Sequence, residues 1–395
     1  MLGIVLAGCV TKEDDVKDDD RNKQEEVDNS GKDKGDDDEA GEGDGKKDEA
    51  GQTDITSAFD PLFAAELKKR GYIPDAGHIT VDDVKDLKRI VVSGSWDKKD
   101  PLTSLKGIEY FEALESLYCG YNQLSELDVR QNPSLKYLNC EQNQLSELDV
   151  RQNPALKELH CSYNQLSELD VRQNPALEYL DCLHNQLSEL DVRQNPALKE
   201  LCCFNNQLVE LDVRSNPALE FLSCDVNQLI ELDVRQNPAL EYLNCGYNQL
   251  IELDVRQNPA LVYLYCYSNQ LSELDVRQNP ALEYLNCYSN QLVELDVRQN
   301  AALTQLYCHS NQLVELDVRQ NSALADLLCS SNQLTELDIT KNTELYRFDC
   351  SNNPGENGQF NVKAWFGDDS IPEDFTSGNW TYDGRTVEIH YFDGR

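Results

Sequence analysis

Positive charge is scarce in this chain, and no long apolar run occurs. Its 395 residues carry 35 Lys and Arg against 72 Asp and Glu, a formal net charge of −37. A phosphate backbone needs a basic patch, so nucleic acid is excluded as a partner. Adsorption to anionic lipid is disfavoured for the same reason. The longest apolar run, Leu2 to Val10, is too short to span a bilayer. Neither a Gly-rich phosphate loop nor a nucleophile elbow is present. At 39% hydrophobic residues the chain can build a core, though a leaner one than an ordinary domain has.

What is abundant is repetition. Cys119, Cys140, Cys161, Cys182, Cys203, Cys224, Cys245, Cys266, Cys287, Cys308, Cys329 and Cys350 follow one another every 21 residues without a slip. One turn runs from Ala113 to Pro133. Leu117 and Cys119 alternate with outward residues and point inward from a short strand. Leu127 and Val129 do the same in Glu-Leu-Asp-Val-Arg, which predicts a second short strand. Leu114 and Leu124 fill the corners. Asn122 recurs in every turn through Asn353, where an inward amide can bond the backbone of a bend. Asn132-Pro133 forces an extended or turn conformation that ends the second strand. Six apolar side chains cannot offset the ordering of 21 residues, so a turn is stable only when stacked on its neighbours. The array is one solenoid.

Stacked turns place the ladder cysteines about 4.8 Å apart at Cα, within reach of disulfide bonding. Their side chains run parallel, however, and neighbouring Cβ atoms would have to close to about 3.8 Å. A spine of buried thiols, each packing as a small hydrophobe, is the favoured reading.

The run L-x-x-L-x-C-x-x-N-x-L at this period resembles the cysteine-ladder leucine-rich repeats of internalin J and of many bacterial surface proteins. The resemblance implies a β-rich member of the right-handed α/β superhelix class. Its parallel sheet would lie on the concave face, with short extended segments on the other face and a cap at each end. It also implies a non-enzymatic, surface-displayed, adhesin-like interaction protein. Leu105 to Phe111 looks like the entry segment of such arrays, and Asn353 to Tyr391 like their β-rich closing cap.

Five segments follow. Residues 1–9 read as a signal-peptide remnant, because Leu6-Ala7-Gly8-Cys9 resembles a lipobox whose Cys9 would be lipidated and anchored at the cell surface or outer membrane. The true start is expected upstream of Met1. Residues 10–52, with 18 acidic and 8 basic side chains and no aromatic, read as a disordered tether. Thr11 to Asp15 resembles the export tag of Bacteroidetes-type surface lipoproteins. Residues 53–112 form an N-terminal cap, with a helix starting at Asp60-Pro61 and ending at Gly71 and a strand at Arg89 to Val92. Residues 113–353 are the array and 354–395 the C-terminal cap. Related proteins place an EF-hand-like loop near Gly77, Ile79 and Asp83. Here Tyr72, Pro74 and Ala76 fall where oxygen ligands should stand, so no calcium is expected.

Glu126, Asp128 and Arg130 recur through the first ten turns, and this side reads as scaffold. Variation sits in four outward columns that begin at Ser116, Tyr118, Gly120 and Tyr121. These columns hold 13 of the 18 tyrosines. Their densest group is Tyr242, Tyr247, Tyr263, Tyr265, Tyr267, Tyr284, Tyr288 and Tyr307. Tyrosine offers large, rigid, amphipathic contact area at low entropic cost, so this concave patch is the candidate binding face. A surface protein of a host or neighbouring microbe is the expected partner. A glycan using Asn244, Asn286 and Glu200 is the alternative, and a structural spacer without a ligand a third. His160, Asp181 and Cys202 share one column, flanked by Glu158, His184 and Glu200. A flat sheet would hold His160 and Cys202 about 9.6 Å apart, too far for a catalytic pair, and no metal or cofactor is expected there. His78 and His390 read as structural. The chain is expected to be a monomer.

Overall fold

The computed structural model describes residues 53–95, 100–355 and 360–365, together with the backbone of the strands at 374–375, 379–382 and 385–388. The signal remnant, Cys9, the acidic tether and His390 lie outside the described residues.

The N-terminal cap begins as its sequence predicts. Helix α1 (Pro61–Lys69) is capped by Asp60, whose carboxylate accepts from the N–H groups of Leu62 and Phe63 at 2.9 and 3.0 Å. It ends at Gly71, which takes a left-handed φ of +80°. A short helix, α2 (Val81–Val84), leads to strand β1 (Arg89–Val91). Phe59, Phe63, Tyr110 and Phe111 stack together and close the first turn. Asp75, in the segment that could have been a calcium loop, instead pairs with Lys68 at 2.9 Å.

Strand β1 starts a sheet of fourteen strands, all parallel. It continues through β2 (Ser116–Tyr118) and nine further three-residue strands to β12 (Asp326–Leu328). Pairing is in register at the repeat length, Leu117 opposite Leu138 and so on along the array. Strand β14 (Arg347–Asp349) and strand β16 (Asp374–Phe375) finish this sheet. Among the described residues, the second short strand expected in every turn forms only in the last two. There β13 (Glu336–Asp338) pairs with β15 (Asn361–Lys363), followed by β17 (Asn379–Tyr382) and β18 (Arg385–Glu388). In the other turns the segment stays extended without a ladder.

Asparagine takes the place of that ladder. Asn143 donates to the carbonyls of Cys119 and Cys140 at 3.1 and 3.0 Å and accepts from Leu124 N–H at 3.0 Å. A second, wholly buried spine begins at Asn132, and here Asn153 donates to Val129 and Asn132 carbonyls, both at 2.9 Å. Backbone groups that would be orphaned in the bends are thereby bonded from turn to turn. All twelve ladder cysteines are unpaired, buried thiols. Burial holds them well above the usual thiol range, and Cys119 Sγ donates to the Asn139 carbonyl at 3.3 Å.

Candidate binding face

In-register parallel strands repeat about every 4.8 Å, so rings on adjacent strands, whether in one column or in neighbouring columns, come within packing distance. The outer face of the sheet is therefore a set of ring ribbons. One runs Tyr118, Tyr137, His160, Tyr179, with centroids 4.4, 5.3 and 4.5 Å apart. A second runs Phe221, Tyr242, Tyr265, Tyr284, Tyr307, at 4.2, 5.4, 4.5 and 5.4 Å. The outermost ring at each end lies under a guanidinium, Arg89 over Tyr118 and Arg347 over Tyr307. Beside the second ribbon, Tyr247, Tyr267, Tyr288 and His309 pack in sequence at 5.2, 5.0 and 4.6 Å.

These contacts divide the expected tyrosines. Tyr247 and Tyr263 are exposed, at 53% and 40%. Tyr242, Tyr267, Tyr284 and Tyr288 are half-buried. Tyr265 and Tyr307 are buried, at 5% and 6%, so neither presents a surface. They belong to the middle column, which the sequence placed outside. Rings from the flanking columns close over it, covering Asn139, Ser223, Asn244 and Asn286 as well. Tyr307 donates to Asp326 at 2.6 Å, and Arg347 reaches the same carboxylate at 3.2 Å. Burial pushes the phenol of Tyr265 up to about 12.

A polar stretch leads from the first ribbon, beginning at His160, toward the second. His160 is wedged between Tyr137 and Tyr179 with Nδ1 unpartnered, and burial lowers its pKa to about 4. Asp181 is buried, accepts from Leu183 N–H at 3.2 Å, and is pushed by burial up to about 8. Asp225 accepts from Ser223 at 2.8 Å and is raised by burial to about 6. Cys202 packs with Leu183 under Tyr163, Phe204 and Phe221, while His184 stacks on Tyr163 and contacts Asn205. A protonated carboxyl at Asp181 cannot act as the ionised carboxylate that orients a catalytic imidazole. No group of three or more His, Cys, Asp or Glu suited to a metal occurs among the described residues. His78 pairs with Asp54 at 3.6 Å in the cap.

The fourth column carries a constraint the sequence did not reveal. Each of its twelve residues, from Tyr121 to Asn352, adopts a left-handed φ between 48° and 57°, and none is glycine. These positions vary, but they are not free of backbone demands. The frequent Ser and Asn residues there were the available signal.

The opposite side is more than uniform scaffold. In each of ten turns Asp and Arg two residues apart form a forked pair, such as Arg130 Nη2 to Asp128 at 2.7 Å and Nε at 2.9 Å. That pairing cancels charge and leaves the Glu126 column as the net negative one. An open groove of about 3180 Å³ follows this side, with the Leu127 column in its floor. Along one edge, five exposed aliphatic side chains occupy a column held by Ser in the first four turns. The Ser to Val or Ile changes stand in the sequence, masked by the constancy of the surrounding motif.

An array of parallel strands at 21-residue period, with an inward asparagine at each bend, defines a leucine-rich repeat solenoid. A family model for leucine-rich repeats (2 copies) matches residues 154–195. The functional domain of InlJ from Listeria monocytogenes, which includes a cysteine ladder, is 31% identical over 78% of this chain and 76% of that one, with a TM-score of 0.59. An internalin of the same species (inlF) superposes with a TM-score of 0.61 at 21% identity, covering 75% of this chain and 96% of that one. A leucine-rich repeat protein of Leptospira interrogans gives 0.57 at 24% identity, covering 74% and 86%. No match was found among curated protein sequences. The chain belongs to the leucine-rich repeat family, and its spine of buried thiols makes it a cysteine-ladder member.

Proposed function

We propose that this chain is a non-enzymatic binding protein that engages a protein partner through the outer face of its sheet. The observation that carries this reading is the ribbon of mutually packed rings from Phe221 to Tyr307, with Tyr247 and Tyr263 standing exposed beside it. Stacking fixes the rings in place before a partner arrives, so little rotamer entropy is lost on binding. The family likeness to internalins supports a role in protein–protein binding. The resemblance of Leu6 to Cys9 to a lipobox supports display at the cell surface through a lipid on Cys9, facing a host or a neighbouring microbe as an adhesin does. A glycan reading loses two of its polar groups, since Asn244 and Asn286 are covered by rings.

Binding should be tested by capture from host-cell extract and on a glycan array. Intact chain would be compared with a variant carrying Tyr247→Ser and Tyr263→Ser, the two exposed rings of the group and neither a link of the ribbon. A protein captured only by the native chain supports the reading. A glycan captured instead would replace the partner class. Equal capture by both chains would leave the sheet face as a spacer's surface.

A further inference from the structure

We propose that Val209, Ile230, Ile251, Val293 and Val314 form a second docking surface, a ridge that receives a basic amphipathic helix of a partner protein. It lies on the side opposite the tyrosines. These five side chains are 50%, 61%, 63%, 47% and 50% exposed. They occupy one column of the repeat, which holds Ser125, Ser146, Ser167 and Ser188 in the first four turns and Ser272 in the gap. Serine thus satisfies the fold there, and neither packing nor the bend requires an aliphatic residue. Isolated exposed aliphatics are ordinary, whereas five of them in six successive turns of one column mark an interaction surface.

Charge names the occupant. The residue after each position of this column from Val209 to Val314, Ser272 included, is an exposed glutamate, from Glu210 to Glu315. None of these six carboxylates is within ion-pairing distance of a Lys or Arg among the described residues, because each neighbouring Arg is committed to its own Asp, as Arg214 is to Asp212 at 2.8 Å. A second copy of this chain would set one glutamate row against another at a net charge of −37 on each copy. The chain's own residues 10–52, with 18 acids to 8 bases, are repelled in the same way. What fits is an apolar stripe flanked by Lys or Arg.

Spacing selects a helix. The ridge crosses five turn steps, about 24 Å at about 4.8 Å per step. A helix of about 16 residues has that length, and its pitch of about 5.4 Å brings one apolar side chain to nearly every turn of the array. A strand, whose same-face residues recur at about 6.7 Å, falls out of step at once. The groove alongside, lined by Ser272 and Val293 as well as the Leu column, gives the helix a flank to rest against.

The probe is a synthetic 16-residue peptide with a leucine stripe flanked by lysines, set against a peptide of the same composition with the leucines scattered. Anisotropy would be read with the intact chain, with a Val209→Ser, Ile230→Ser, Ile251→Ser variant, and with Ser272→Ile. The triple variant writes into these turns the residue found in the first four, so its melting midpoint should match the parent. The expected result is binding of the striped peptide, weakened about tenfold or more by the triple change and tightened by Ser272→Ile. Changing Tyr247 and Tyr263 should leave it unaltered. No binding, equal binding of the scattered peptide, or no loss in the triple variant overturns the proposal. So does a dimer of the free chain in sedimentation that the triple variant abolishes, since the occupant would then be a second copy.

Discussion

His160 and Asp181 stand opposite each other on adjacent strands, in register, and at neutral pH neither is charged. No hydrogen bond joins them. Each is discharged by burial rather than by the other, because the rings of Tyr137 and Tyr179 take the place of water around the imidazole.

This neutrality sets a pH dependence of stability. The carboxyl of Asp181 ionises far more readily in the unfolded chain than in the folded one, where its pKa is about 8. Its contribution is therefore fully present below the unfolded pKa of about 4 and is lost as pH rises toward 8. His160, lowered to about 4, acts oppositely: stability is lost as pH falls from about 6.5 toward 4. Asp181→Asn should raise stability at pH 8 by an amount on the order of 3 kcal/mol and flatten the alkaline limb. His160→Phe should flatten the acid limb. Urea midpoints across pH 4 to pH 9 check both, and an unchanged alkaline limb in Asp181→Asn would refute the assignment.

The tyrosines should separate by role. Tyr307→Phe removes the hydroxyl that Asp326 accepts at 2.6 Å and should cost about 1–2 kcal/mol. Tyr247→Ser, at an exposed position, should change stability by no more than about 0.5 kcal/mol. Denaturant midpoints of the two variants decide the point.

Val226 is a β-branched residue held at φ 52°, where Asn205 and Asn352 occupy the equivalent position at 54° and 55°. Val226→Asn should stabilise by about 1 kcal/mol, since asparagine tolerates left-handed backbone. A lower midpoint would show that the valine contributes packing that outweighs its strain.

Asn237→Ala removes donors to the Val213 and Asn216 carbonyls at 2.9 and 2.8 Å. Both acceptors are left in the interior, so the loss should be about 3 kcal/mol. Exchange of amide protons should rise in the turns on either side of residue 237 before it rises elsewhere.

The ladder thiols should be chemically silent while the array stands. A chain with Cys9→Ser and Cys202→Ser should show no titratable thiol under native conditions and twelve in denaturant, matching the twelve buried cysteines. Early reactivity of one ladder thiol would locate a turn that opens on its own.

The solenoid was legible because its period is written in residues that face inward. Leu117 and Cys119 have one environment whichever turn they occupy, so spacing alone places them. Asn132 was legible only in part. Its position before proline announced a bend, but the hydrogen bonds it anchors join residues 21 and 24 apart and become visible only when turns are stacked. Tyr265 was misplaced because alternation along a three-residue strand says which side of the sheet a residue takes. Whether neighbouring strands then cover it depends on the rings above and below, which alternation does not encode. Val209 and its equivalents were passed over for the opposite reason, since one altered letter in a constant motif reads as noise until its exposure is seen.

Because every interior turn receives its backbone bonds from one neighbour and gives the same set to the next, as Asn174 and Asn195 do in succession, any 21 consecutive residues of the array can be excised or duplicated without leaving a backbone group of the bends unbonded. Recombination between near-identical repeats then becomes a route of change that the fold tolerates, one quantum of about 4.8 Å at a time. Such an event inserted between Phe204 and Phe221 would move the tyrosine ribbon relative to the N-terminal cap while preserving every ring contact within it. The gene can thus adjust how far the tyrosine face stands from the N-terminal cap without redesigning either.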